Sequence, residues 1–215
     1  MSQSVARCSW LPWARVNLCR NPFGELTAKE RAETAVVDVD WFMSMLQRQS
    51  TAVQFIGDCG RGKTTRMLAI HSQIPDSSYV YLPENQPCPA IPEGNPVMID
   101  EAQRLPRFVR RRVFATGLPL VLATHNDLTR SLRRHGYQVH TQHIGEGNVP
   151  ELVWQLVNRR IEASRLAPGP IPNATVEDAR VLVQRFGTNV RSIEHYLYDR
   201  FQSQVTGNGE LRFVD

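Results

Sequence analysis

The stretch "TAVQFIGDCGRGKTTRMLAIHSQI" (51–74) constrains the fold of this chain more than any other. A short apolar run ends at Gly57, a glycine-rich turn follows, and a helix-forming segment opens near Gly62. Gly57-x-x-x-x-Gly62-Lys63-Thr64 has the spacing of a phosphate-cradling loop set between a strand and a helix. Glycines let the backbone turn tightly and aim N–H groups into a concavity. The helix adds the positive potential of its N-terminal end. Lys63 is one of only two lysines, against 23 arginines. A compact ammonium on a flexible stem fits between phosphates where a planar guanidinium is too broad. Thr64 offers a hydroxyl to Mg²⁺. The expected nucleotide-binding residues are Gly57, Asp58, Cys59, Gly60, Arg61, Gly62, Lys63, Thr64 and Thr65.

"SYVYL" (78–82) reads as a second strand, and "NPVMIDEA" (95–102), "LPLVLATHN" (118–126) and the partly alternating "GYQVHTQHIG" (136–145) each hold one more. With helical stretches in most intervals, this rhythm predicts α/β architecture with a parallel five-stranded sheet. The interval "PENQPCPAIPEGNP" is proline-rich and short for a crossover helix. A loop there replaces the helix, or the flanking strands are not neighbours. Upstream, "TAKE" opens with a capping-box pattern at Thr27 and Glu30, and one helix is predicted over about 28–49, with a break near Asp38–Asp40 as an alternative. Residues 1–24 read as an irregular arm whose aromatics lie on the domain. After 147 the pattern turns helical, with Leu152, Leu156 and Ile161 among the apolar residues of a first, amphipathic helix. A second helix is capped by Thr175 and Asp178 and ended by Gly187, and a third covers "NVRSIEHYLYDRFQ". The expected divisions are an arm at 1–24, a core at 25–147, a helical segment at 148–205 and a weakly ordered tail at 206–215.

In "VMIDEAQRL" a buried strand ends in two adjacent carboxylates, about 37 residues after Lys63. Beside a phosphate loop, Asp100 suits a Mg²⁺ site shared with Thr64. Glu101 suits the role of general base toward a water. "LVLATHN" ends in Thr124, His125 and Asn126, at the strand end that faces the ligand crevice of a parallel sheet. Asn126, or else Thr124, is the candidate for placing that water; the plain alternative is a solvated turn with Asn126 or Asp127 capping the next helix.

These motifs resemble those of the AAA+ ATPases, and within them the bacterial group of the ExeA-type secretion and TniB-type transposition ATPases. "NPFGELTAKERAE", "VQFIGDCGRGKTT", "VMIDEAQRL", "LVLATHNDLTRSLRR", "LVWQLVNRRIEAS" and "FGTNVRSIEHYLYDRF" carry the resemblance over most of the chain. It implies a three-layer P-loop NTPase core with a small C-terminal helical lid, ATP or ADP and Mg²⁺ as ligands, and Mg-dependent hydrolysis. By the same resemblance Lys63 and Thr64 bind phosphate and Mg²⁺, Asp100 binds Mg²⁺, and Glu101 is the catalytic base. Asn126 corresponds to the sensor 1 residue, and Arg191, in "GTNVRSI", to the arginine that reaches the γ-phosphate from the lid. Homo-oligomeric rings are implied, with Arg133 or Arg134 as the arginine given to a neighbouring subunit. Either is equally read as a solvated helix charge. Against the family's pattern, the proline-rich interval lacks a helix.

The segment 104–114, "RLPRFVRRRVF", carries five arginines in nine residues. DNA phosphates are one partner for it; a solvated, ion-paired helix face is the other. The net charge of +4 permits an acidic partner without demanding one. Cys8, Cys19, Cys59 and Cys88 form no C-x-x-C pair, so neither a zinc site nor a disulfide framework is indicated. His140 and His143 are expected at the surface. With no long apolar run and no secretory core, the expectation is a cytoplasmic protein without membrane insertion. Three functions stand side by side: an ATPase coupled to oligomerisation and to DNA or a partner protein, a nucleotide-binding switch with negligible turnover, and a small-molecule phosphotransferase. The intact Glu101 favours the first, and the Asp-Glu pair with the Arg191 helix argues against the third.

Overall fold

The computed structural model describes residues 12–146, 150–205 and 211–214. The chain divides into two compact units, one formed by Ala28–Glu146 and the other by Met1–Thr27 together with Gly147–Asp215.

The first unit is α/β. Two helices, α1 (Ala28–Thr34) and α2 (Val39–Leu46), precede β1 (Thr51–Ile56). Then come α3 (Lys63–Gln73), β2 (Ser78–Tyr81), β3 (Val97–Asp100) and α4 (Arg107–Phe114). β4 (Leu120–Thr124), α5 (Thr129–Arg133) and β5 (Gln138–His143) complete it. The five strands form one sheet in the order β2-β3-β4-β1-β5, with every pairing parallel. The central strands are buried on both faces, as parallel strands under helices must be. On one face Ala52, Ile99, Leu120 and Leu122 pack with Phe114 of α4 and Leu132 of α5. On the other, Val53, Phe55, Met98 and Val121 pack with Phe42 and Leu46 of α2 and Met67 and Ile70 of α3. Adjacent residues of one strand thus serve opposite layers, and the architecture is a three-layer α/β sandwich with the topology of P-loop NTPases.

The long helix expected over 28–49 is two helices. Between them lie Val36 and Val37, β-branched and poor in a helix. Asp38 then accepts the Trp41 N–H at 3.3 Å and starts α2 afresh. The proline-rich interval is a loop replacing a helix: β2 and β3 pair directly, and Cys88 and Ile91 of the loop lean on the core. Gln54 of β1 is fully buried yet polar. Its amide nitrogen lies 2.8 Å from Asp127 Oδ1, 2.7 Å from Thr129 Oγ1 and 2.8 Å from Thr141 Oγ1, and its oxygen accepts the Leu128 N–H at 3.0 Å. It ties the start of α5 and the edge strand β5 to the sheet centre.

The second unit is helical: a 3-10 turn at Pro12–Val16, then α6 (Pro150–Ala163), α7 (Val176–Phe186) and α8 (Val190–Gln204). The N-terminal segment belongs to its core. Trp13, Leu18 and Phe23 are buried with Val157, Ile161, Leu182, Leu197 and Phe201. The buried face of α6 runs through Val153, Val157 and Ile161, whereas Leu152 and Leu156 are only partly covered. Arg160 is 5% exposed. It donates to the carbonyls of Pro22 at 2.8 Å and Gly24 at 2.6 Å, pairs with Glu194 of α8, and lies over the Phe23 ring. Thr175 and Asp178 form the reciprocal cap of α7, and Gly187 ends it at φ +58°. The tail is more ordered than expected over 211–214, where Phe213 packs edge-on to Phe201 at 5.2 Å. Residues 206–210 and 215, and Cys8 in the arm, lie outside the described residues.

Candidate functional site

β1 and β3 each end at the same edge of the sheet, with β4 between them. That edge is where a parallel α/β sheet holds its ligand. The loop after β1 is fixed there by its glycines. A Cβ on Gly57 would stand 2.5 Å from the Ile144 carbonyl oxygen, so no side chain fits. Gly60 and Gly62 hold φ of +80° and +94°, a left-handed backbone that glycine adopts freely. Gly62 delivers the chain into α3, whose first residue is Lys63.

Lys63 is 5% exposed. Its ammonium donates to the carbonyls of Gly57 at 2.6 Å and Asp58 at 2.9 Å. Burial pushes its pKa down, and the more distant Glu101 and Asp100 only partly oppose this. A buried cation resting on neutral carbonyls is short of countercharge, which is the electrostatic state that an incoming anion relieves. Asp58 and Cys59 at the loop tip are exposed, Arg61 pairs with Asp58 at 3.6 Å, and Thr65 is half-buried. Cys19, Cys59 and Cys88 are free thiols.

Thr64, on the first turn of α3, donates its hydroxyl to Asp100 Oδ2 at 2.7 Å. Asp100, the last residue of β3, is fully buried. It also accepts the Tyr79 hydroxyl at 3.0 Å on Oδ2 and the Glu101 N–H at 2.9 Å on Oδ1. Burial, and then the charge of Asp100, drive the Tyr79 phenol well above its ordinary pKa, so it stays protonated and donates. A hydroxyl and a carboxylate side by side are the hard oxygen donors that Mg²⁺ takes from protein. No group of three His, Cys, Asp or Glu side chains gathers into a metal-binding cluster among the described residues.

Glu101 leaves the strand in a left-handed conformation, φ +60° and ψ +40°. Its side chain is 15% exposed. Gln103 Nε2 donates to its Oε2 at 2.7 Å, Arg104 Nη2 lies 3.3 Å from the same oxygen, and His125 Nε2 lies 3.6 Å away. Arg104 also reaches the proline-rich loop, donating to the Leu82 carbonyl at 2.9 Å and to Glu84 at 3.2 Å.

The structure therefore brings Lys63, Thr64, Asp100 and Glu101 to one edge. Asn126 is exposed beyond β4, its N–H bound to Thr124 Oγ1 at 3.0 Å and its carbonyl accepting that hydroxyl at 2.9 Å. Thr124 thus spends its hydroxyl on the turn, and Asp127 accepts the Thr129 N–H at 2.7 Å at the start of α5. Arg133 and Arg134 are exposed at the end of α5, beside an open groove lined by Asp127, Thr129 and Arg130. Arg191 is exposed in the first turn of α8, in the helical unit. Sequence reasoning missed Tyr79, Gln103 and Arg104 as neighbours of the carboxylates and His125 as the strand-end residue that meets Glu101. "DEAQR" and "THN" held three of them, but which side chains converge depends on the strand order.

No protein-family model matches the chain, and no curated protein matches it either. Among solved structures it is similar to NtrX from Brucella abortus in complex with ATP, at 14% identity and a TM-score of 0.46 over 91% of this chain. NtrX from Brucella abortus in complex with ADP matches at 13% identity and a TM-score of 0.47 over 87% of this chain. The chain spans 56% of the length of either NtrX chain. Likeness at this level assigns no function. No helix among the described residues is long and apolar enough to cross a membrane.

Proposed function

We propose that this protein binds ATP with Mg²⁺ and hydrolyses it, as an AAA+-type ATPase. The observation that carries the reading is the 2.7 Å hydrogen bond from Thr64 to Asp100, which joins the phosphate loop to the acidic strand end. The loop's backbone N–H groups and Lys63 bind the phosphates, the ammonium exchanging carbonyl partners for phosphate oxygens. Thr64 and Asp100 are the residues that hold Mg²⁺, which when bound neutralises phosphate charge. Glu101 accepts the proton of the attacking water. Asn126 orients that water, and Arg134 or Arg133 acts on a neighbouring subunit's nucleotide in a homo-oligomer.

DNA or an acidic partner protein is the proposed regulator. The support is α4, where Arg107, Arg111 and Arg112 are exposed, no acidic residue intervenes, and Phe108 is 70% exposed with Arg112 over its ring.

The test is ATP turnover across a protein-concentration series, with and without duplex DNA, using Glu101→Gln as the blank. A rate per subunit that climbs with concentration supports the oligomeric ATPase, and stimulation by DNA supports the regulator. ATP binding with turnover no higher than the blank would replace this reading with that of a nucleotide-binding switch.

A further inference from the structure

Gln103 lies in the 3-10 turn Ala102–Arg104 that follows β3, and its two amide ends touch two different strand ends. Nε2 donates to Glu101 Oε2 at 2.7 Å, while Oε1 accepts the His125 backbone N–H at 3.2 Å. The orientation of the amide is fixed by its neighbours. A backbone N–H only donates and a carboxylate only accepts, so the oxygen must face His125 and the NH₂ must face Glu101.

Gln103 Nε2, Arg104 Nη2 and His125 Nε2 all reach the Oε2 oxygen of the Glu101 carboxylate, at 2.7, 3.3 and 3.6 Å. A carboxylate held by one oxygen has its plane and direction set, while its second oxygen keeps its lone pairs. Such a tether matters more here than on an ordinary strand. The left-handed backbone of Glu101 turns its side chain off the strand direction, and an unrestrained Glu side chain is free to sample many rotamers.

We propose that Gln103 is a positioning residue for Glu101: it pins Oε2 against the end of β4 and leaves Oε1 to accept the proton of the attacking water. This rests on the ATPase reading above. The amide is required in both halves, since the oxygen anchors Gln103 to β4 and the nitrogen passes that anchorage to Glu101.

Gln103→Glu separates the two halves. It keeps the size of the side chain and an oxygen for the His125 N–H, but it sets a carboxylate against Glu101 where a donor stood. Steady-state ATP hydrolysis, ATP affinity by calorimetry and the thermal midpoint are measured on the wild type, Gln103→Glu, Gln103→Met and the Glu101→Gln blank. The expected result is a kcat roughly 10- to 100-fold lower in Gln103→Glu. KM and ATP affinity stay within about twofold, because Glu101 acts on water rather than on bound nucleotide. Gln103→Met, which loses the donor without adding charge, falls between. A Gln103→Glu variant with wild-type kcat overturns the proposal, as does one whose ATP affinity falls in step with kcat. Wild-type turnover at the level of the Glu101→Gln blank sinks the ATPase reading itself, and the proposal with it.

Discussion

Thr64 and Asp100 stand 36 positions apart in sequence and share a 2.7 Å hydrogen bond across two elements of the sheet edge. The bond allows a test of the proposed Mg²⁺ site. Thr64→Val keeps the shape of the side chain and removes the hydroxyl. Binding of Mg-ATP, measured by calorimetry, is expected to weaken roughly tenfold or more, the size of a lost hydrogen bond to a charged group. Binding of ATP in excess chelator is expected to change little. Equal losses with and without Mg²⁺ would show that Thr64 serves the loop rather than a metal.

Lys63 is expected to tolerate no replacement that keeps function, including arginine. Its ammonium sits between two carbonyls at 2.6 and 2.9 Å in a buried slot, and a planar guanidinium does not fit there. Lys63→Arg and Lys63→Ala should both abolish ATP binding. Lys63→Met should leave the thermal midpoint of the ligand-free protein unchanged or raised, because burial disfavours the charge it removes.

Tyr79 separates structural from chemical support of Asp100. The phenol donates to the same oxygen as Thr64 and stays protonated across the neutral range. Tyr79→Phe is expected to lower the thermal midpoint by several degrees, as loss of about 1.5–3 kcal/mol implies. Turnover should stay within a few-fold of wild type. A loss of Mg-ATP binding as deep as that of Thr64→Val would place Tyr79 in the proposed Mg²⁺ site itself.

Asp127 gives a pH dependence. Hydrogen bonds from the Thr129 side chain, the Thr129 N–H and Gln54 hold its carboxyl below the ordinary value of 3.8. The folded state therefore binds the proton less readily than the unfolded state. This stabilisation is present above about pH 4 and is lost as pH falls through the depressed value. Chemical denaturation between pH 2 and 6 should show a shallower acid decline for Asp127→Asn than for wild type. Parallel curves would remove Asp127 from the account.

In the helical unit, Glu194→Ala leaves the Arg160 guanidinium buried without its carboxylate. A broken buried pair costs about 3–5 kcal/mol, lessened here because Glu194 remains 25% exposed. Replacing both Arg160 and Glu194 by apolar residues should cost less than Glu194→Ala alone. A double variant as unstable as the sum of the singles would deny that the two residues act as a pair.

The glycine-rich turn between β1 and α3, the five strands and the cap of α7 were legible in the sequence because each is written locally. Gly57, Gly62 and Lys63 are adjacent to the strand and helix that give them meaning, and Thr175 lies three residues from Asp178. The roles of Gln54 and Tyr79 were not legible. Gln54 lies in an apolar run and reads as an exception, and its partners Asp127, Thr129 and Thr141 are set by β1 lying between β4 and β5. Tyr79 meets Asp100 because β2 and β3 are neighbours, a point the proline-rich interval left open. Arg160 was hidden for another reason. Its position on a helix reads as a solvated charge, and only the packing of Pro22 and Gly24 against α6 buries it.

The left-handed backbone at Glu101 sets two selections against each other. A non-glycine residue in that conformation costs roughly 1–2 kcal/mol, while glycine adopts it without strain and costs about 0.4–1 kcal/mol through the flexibility of the unfolded chain. A library of substitutions at 101 sorted only for folded protein should therefore retain glycine, and the same library sorted for turnover should discard it. The two rankings would diverge at this position, which marks it as a place where the chain accepts a poorer fold in exchange for where a carboxylate points.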